Sequence, residues 1–246
     1  MRRKPRLLLP LAAILPLLPA IASAQSISID LGAGEGSTTS RIVQLVALVT
    51  VLSIAPSILV MVTSFTRIVV VLSFLRSAIG TQQAPPNMVM ISLALFLTAF
   101  VMAPTMERSW QDGIAPLLAE EIEPEEAFSR AVVPVREFML AHVRERDLTL
   151  FVNLSKSGPV AAPEETGLGV LIPAFMISEL RRAFEIGFLL FVPFLVIDMV
   201  VASVLMSMGM MMLPPVMISL PFKLIFFVLV DGWYLVAGSL VQSYGT

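Results

Sequence analysis

Four methionines, Met208, Met210, Met211 and Met212, surround Gly209 in the stretch SMGMMMLPP and are stopped by Pro214 and Pro215. Thioethers are soft ligands for Cu(I), but such sites draw on histidine or cysteine as well. The chain has no cysteine and one histidine, His142, which lies among arginines on a predicted helix surface. No metal or cofactor is expected. Two other readings of the methionines stay open: fillers of an irregular core, or a pliable seal of unbranched apolar side chains that closes a hole by excluding water. Gly209 supplies the turn, and the two prolines keep the preceding helix from running on.

Ionisable groups inside apolar stretches are the second source of chemistry. Asp198 lies deep in FVPFLVIDMVVASV, where it could relay protons or pair with a charge such as Lys223. Buried charges survive mainly by pairing, which favours Lys223. Lys223 and Asp231 are eight residues apart and would share one side of a helix facing protein or water. Glu179, Arg181, Arg182 and Glu185 are spaced by three and four, so they could neutralise one another along a helix start or serve a subunit contact. No Ser/His/Asp set, Gly-x-Ser-x-Gly or HExxH pattern occurs, so the chain is not read as an enzyme.

Behind these residues stand 246 positions that are 57% hydrophobic and 14% charged, with a mean hydropathy of +0.90. That is too apolar for an ordinary soluble domain. Residues 1–24 carry Arg2, Arg3, Lys4 and Arg6, then a short proline-interrupted apolar run and Ala22-Ser23-Ala24. This pattern reads as a secretory signal peptide. Without it the chain has 12 basic against 18 acidic side chains, which argues against a nucleic-acid partner.

Residues 25–41 read as a flexible leader, 42–103 as a first helical hairpin, 104–172 as an extracytoplasmic helical segment and 173–246 as a second hairpin carrying the methionine loop. The apolar stretches are 42–63, 88–103, 186–207 and 222–240. A first hairpin loop at 64–87 has Arg67 and Arg76 and no acidic residue, which places it inside. The 104–185 segment, with eight basic and fourteen acidic side chains, then falls outside.

Within that segment Pro134 is expected to open one helix and Asp147 a second that buries Leu150, Phe151 and Leu154; 158–169 reads as loop. Phe138 and Phe151 are its subunit-packing candidates. Residues 42–79 could form one helix of about 57 Å, too long for a ~30 Å hydrocarbon core. The stretch 88–103 is short for a span and should end at Pro104. Such mismatches are met by burial against other copies, so an oligomer is expected.

The runs PAFMISELRRAFEIGFLLFVPFLVIDMVVASVLMSMGMMMLPPVMISLPFKLIFFVLVDGW (173–233) and SFTRIVVVLSFLRSAIGTQQAPPNMVMISLALFLTAFVMAP (64–104) closely resemble the FliP family and its virulence-secretion relatives. A signal peptide favours the flagellar branch. The resemblance implies an all-α, membrane-associated fold of two long helical hairpins, several copies of which form a helical pore complex with FliQ and FliR. Further membrane partners would be FlhA and FlhB.

Its implied place is the bacterial inner membrane at the flagellar basal body, where unfolded flagellar proteins pass through a type III export gate. Met210, Met211 and Met212 match the family's pore-narrowing loop, and Met208 flanks it. Competing readings are an ion- or proton-coupled small-molecule transporter using Asp198 and Asp231, and a structural membrane scaffold.

Overall fold

The computed structural model describes residues 38–81, 83–155, 166–210 and 212–245. The expected signal peptide, most of the expected leader, much of the 158–169 stretch and Met211 lie outside them. Packing divides the chain into two units, 1–50 and 51–246. The described part of the first is the start of helix α1 (Thr38–Met61), on which Ile42, Val43, Val46 and Val49 are exposed.

Every regular element among the described residues is helical. In the second unit these are the rest of α1, then α2 (Phe65–Ile79), α3 (Asn87–Ser109), a π-helical turn (Trp110–Ile114) and α4 (Ala115–Leu118). They are followed by α5 (Pro124–His142), α6 (Glu145–Leu154), α7 (Leu168–Ser207), α8 (Pro215–Leu229) and α9 (Gly232–Gln242).

Helix α2 is the centre of the unit. Ile68, Val71, Leu72 and Leu75 recur at spacings of three and four and are buried with Met90 and Ala94 of α3, Ala183 and Phe194 of α7, Phe227 of α8 and Val236 and Leu240 of α9. A second apolar cluster joins Val101 and Met102 of α3, Phe138 and Met139 of α5, Leu171 and Phe175 of α7, and Tyr244. Gly187 lets α7 lie close on α2, because a Cβ there would fall 2.5 Å from the Phe74 ring.

Several expectations are corrected. Residues 42–79 form two helices, not one: the chain breaks at 62–64, where the Phe65 N–H turns to the Thr63 hydroxyl at 3.4 Å. The stretch 64–87 is not a loop, since α2 fills most of it and ends at Gly80, whose φ of 89° suits only glycine comfortably. Arg67 therefore marks no loop and is buried.

Pro104 does not end α3, which runs on to Ser109. One missing N–H is outweighed by the burial of Val101, Met102, Thr105 and Ser109 on the same helix. Pro124 rather than Pro134 opens α5, and Pro134 is buried inside it.

Helix α6 starts at Glu145 and turns Asp147 inward, leaving Leu150 and Leu154 exposed. Helix α7 starts at Leu168 and passes Pro173 and Pro193, so its 40 residues extend about 60 Å. Lys223 and Asp231 do not share a helix: α8 and α9 meet at a 63° bend, with Asp231 at the corner.

Among the described residues, three helical stretches are long and apolar enough to cross a membrane, at Ile42–Met61, Asn87–Leu118 and Leu168–Ser207; the bent α8–α9 pair would make a fourth. Phe96, Phe100, Phe188, Leu189, Val228 and Leu229 are each more than 60% exposed. So much apolar surface requires lipid or other chains against it.

Candidate functional site

The methionine loop begins where α7 ends. Gly209 takes φ 74°, its N–H donates to the Met206 carbonyl at 3.1 Å, and the Met210 N–H reaches back to the Leu205 carbonyl at 3.0 Å. This paired closure with a left-handed glycine is a Schellman stop. Pro214 precedes α8 and Pro215 occupies its first turn, where a missing N–H costs nothing. A short, stiffly bounded turn results. Three of its methionines point away from the fold: Met208 is 61% exposed, Met210 43% and Met212 99%.

Behind the loop, α7 and α8 are tied by Asp198. Its Oδ2 accepts from Lys223 Nζ at 2.6 Å and its Oδ1 from the Ser219 hydroxyl at 2.5 Å. Lys223 is buried and also donates to the Ala78 carbonyl at 3.2 Å, in the last turn of α2, where orphan carbonyls await a donor. Asp198 is thus a neutralised strut between helices. Asp231 is exposed, in the left-handed region at φ 51°.

Glu179 does not pair with Arg182. Its carboxylate receives Arg67 through Nε at 2.9 Å and through Nη2, and also the Tyr244 hydroxyl. Arg67 is 1% exposed and Glu179 0%. The remaining donor of Arg67, Nη1, bonds the Ser243 hydroxyl at 2.9 Å, and the guanidinium lies 3.8 Å over the Tyr244 ring. Arg181 and Glu185 pair at 2.9 Å on the surface, and Arg182 is half-buried.

Phe138 is buried, its ring centroid 5.9 Å from those of both Phe175 and Tyr244 and 4.5 Å from that of His142; Phe151 is half-buried. No group of His, Cys, Asp and Glu among the described residues could hold a metal ion.

Residues 48–240 match a family model described as the FliP family. The flagellar biosynthetic protein FliP of Caulobacter vibrioides is 68% identical over 93% of this chain and 86% of its own length. That of Bacillus subtilis is 55% identical over 85% and 95%, and that of Rhizobium meliloti 54% identical over 91% and 93%.

The chain belongs to the FliP family.

In this FliP-family chain the residues missed from sequence are those that complete the buried ion cluster. Arg67 reads in the sequence as a topology marker, and nothing local singles out Ser243 or Tyr244. Arg67 sits in the first turn of a strongly apolar helix, and Tyr244 follows an apolar one, so each was an isolated polar group needing a partner. Nothing in spacing links positions more than a hundred residues apart.

A second polar knot seats α6. Asp147 accepts two bonds from Arg144 at 2.8 Å and one from Ser178 of α7 at 2.7 Å. Burial acts to raise the Asp147 pKa, but the Ser178 and Arg144 hydrogen bonds and the charges of Arg144 and Arg181 outweigh it and hold the carboxyl below its ordinary value. A depressed carboxylate pKa contributes stability that is complete above the unfolded value, about 3.9, and lost as pH falls through the folded one. The thermal midpoint of this FliP-family chain in detergent should therefore be insensitive to Asp147 above about pH 5 and fall below about pH 4. Asp147→Asn should start lower and lose less over that acid range.

Proposed function

We propose that several copies of this chain form the core pore of the flagellar type III protein export gate in the inner membrane, with FliQ and FliR, alongside FlhA and FlhB. The methionines of neighbouring copies close the pore, and unfolded flagellar proteins pass when they part. In this reading the segment around α5 and α6 is extracytoplasmic, and Phe151 with the free faces of α7 and α8 meets neighbouring copies.

The observation that carries the reading is the loop itself: soft, unbranched apolar side chains, Met212 almost wholly exposed, held out by a rigid stop between two apolar helices. Left in water, such side chains have no use in a lone protomer. Gathered on an axis, they exclude water and ions yet rearrange around passing chains of varied sequence. A polar filter would discriminate among such substrates. Membership of the FliP family, whose relatives are named flagellar biosynthetic proteins, supports the same reading.

Replacing Met210, Met211 and Met212 together by Ala should make cells carrying the assembled complex leak ions, measured as loss of membrane potential. If assembly is normal and the cells stay ion-tight, the seal is elsewhere. A coupled small-molecule transporter is disfavoured by Asp198, whose two oxygens are taken up by Lys223 and Ser219. Asp198→Asn should accordingly show first as reduced recovery of oligomer. Loss of transport with a fully assembled complex would instead restore the transporter.

A further inference from the structure

Ser243 and Tyr244 lie just beyond α9 and are fixed by groups from other helices. Arg67 of α2 holds the Ser243 hydroxyl and supplies a cationic face to the Tyr244 ring; Glu179 of α7 accepts the Tyr244 hydroxyl. Phe138 of α5 stacks on the same ring, and the His142 ring lies tilted with its centroid 5.0 Å away. At its other end α9 begins at a corner. Asp231 adopts φ 51°, a conformation unusual for a residue with a side chain, and the axis turns by 63° from α8. Helix α8 is held separately, because Lys223 joins it to Ala78 of α2 and Asp198 of α7.

We propose that α9 and the turn after it form a separately releasable strap, fastened to the fold by Arg67 and Glu179 through Tyr244 and Ser243. Release is feasible because Arg67 and Glu179 neutralise each other through two bonds of their own. Lifting the strap leaves no lone charge in the interior, which is the usual obstacle to opening a buried ion cluster. The strap turns only a few apolar side chains inward: Val236 and Leu240, then Tyr244 with Val241 packed beside the same cluster, while Tyr234 is 74% exposed and Leu235 52%. Segments with few inward apolar contacts open locally at less cost than the whole domain. The corner at Asp231 is the hinge, and the aromatic clasp is the fastener.

The full chain has no cysteine, so single reporters can be read without background. Val236→Cys reports on the strap and Val71→Cys on α2; the native side chains are 6% and 0% exposed. Purified protein in detergent micelles is labelled with N-ethylmaleimide, with and without Tyr244→Ala. That substitution should raise the labelling rate at position 236 by at least about tenfold, as expected for loss of a hydrogen bond to a charged group plus a ring contact, and leave position 71 unchanged.

Tyr244→Phe keeps the ring and deletes the donor, so it should give a smaller rise at 236 alone. Equal rises at 236 and 71 would mean that α9 opens only with the whole fold, and the proposal fails. An unchanged rate at 236 would mean that the clasp fastens nothing. Should Tyr244→Ala yield no folded protein, the Phe variant decides by the same two readings.

Discussion

Arg67→Met is expected to lower the stability of the folded chain by about 3–5 kcal/mol, because it strands Glu179 without a counter-charge in an interior site. Both side chains are essentially inaccessible, and the carboxylate depends on Arg67 for two of its bonds. Replacing both residues by methionine should return most of the loss, since two apolar groups of similar volume need no partners. Lysine at position 67 should rescue poorly. It keeps the charge but lacks the planar fork that bonds Glu179 twice, reaches Ser243 and covers the Tyr244 ring at once. Thermal unfolding of the detergent-solubilised variants measures all three. A single Arg67→Met variant within about 1 kcal/mol of the parent would show that the pair is not the buried unit described.

Gly113→Ala should cost about 1–3 kcal/mol through overpacking, with the damage confined to the junction of the π-helical turn and α5. A Cβ at position 113 would lie 2.6 Å from the Ala127 carbonyl oxygen, 2.6 Å from the Ala131 Cβ and 2.8 Å from the Ala131 nitrogen. Two of these atoms are backbone and cannot swing aside, so α5 must retreat as a whole. The π-helical turn itself inserts an extra residue that re-aims the chain into this crossing. Ala131→Gly on the same chain should restore part of the stability, as it removes one of the three obstacles and leaves the other two. Full restoration would show that backbone crowding is not the cause.

Long-range pairing separates what was legible in the sequence from what was not. The apolar stretches announced helices because burial and membrane length leave a strong compositional mark, and the Gly209 stop and Pro214-Pro215 start are local chemistry readable from a few residues. The Asp198–Lys223 pair was also within reach, since a charge deep in an apolar run has few choices of partner.

In the sequence Pro104 reads as a helix end and Pro134 as a helix start. Pro104, Pro134, Pro173 and Pro193 all sit inside helices, where packing on the flanking turns outweighs one lost hydrogen bond. Arg67 misled because a positive charge near an apolar run looks like a loop marker whether it faces water or Glu179. The spacing of Glu179 leaves open pairing with Arg182 on its own helix or a subunit contact, and its actual partners lie 112 and 65 positions off. The inward turn of Asp147, with Leu150 and Leu154 outward, was hidden for the same reason: its second partner, Ser178, belongs to another helix.

The central claim is that the methionine turn of each copy faces a shared conduit. An image of the purified complex, at a resolution that resolves side chains, tests it in one step by locating residues 208–212 relative to the symmetry axis. The account predicts the thioethers of successive copies in a ring around that axis, closing it. Methionines at the outer rim, directed toward lipid, would contradict it.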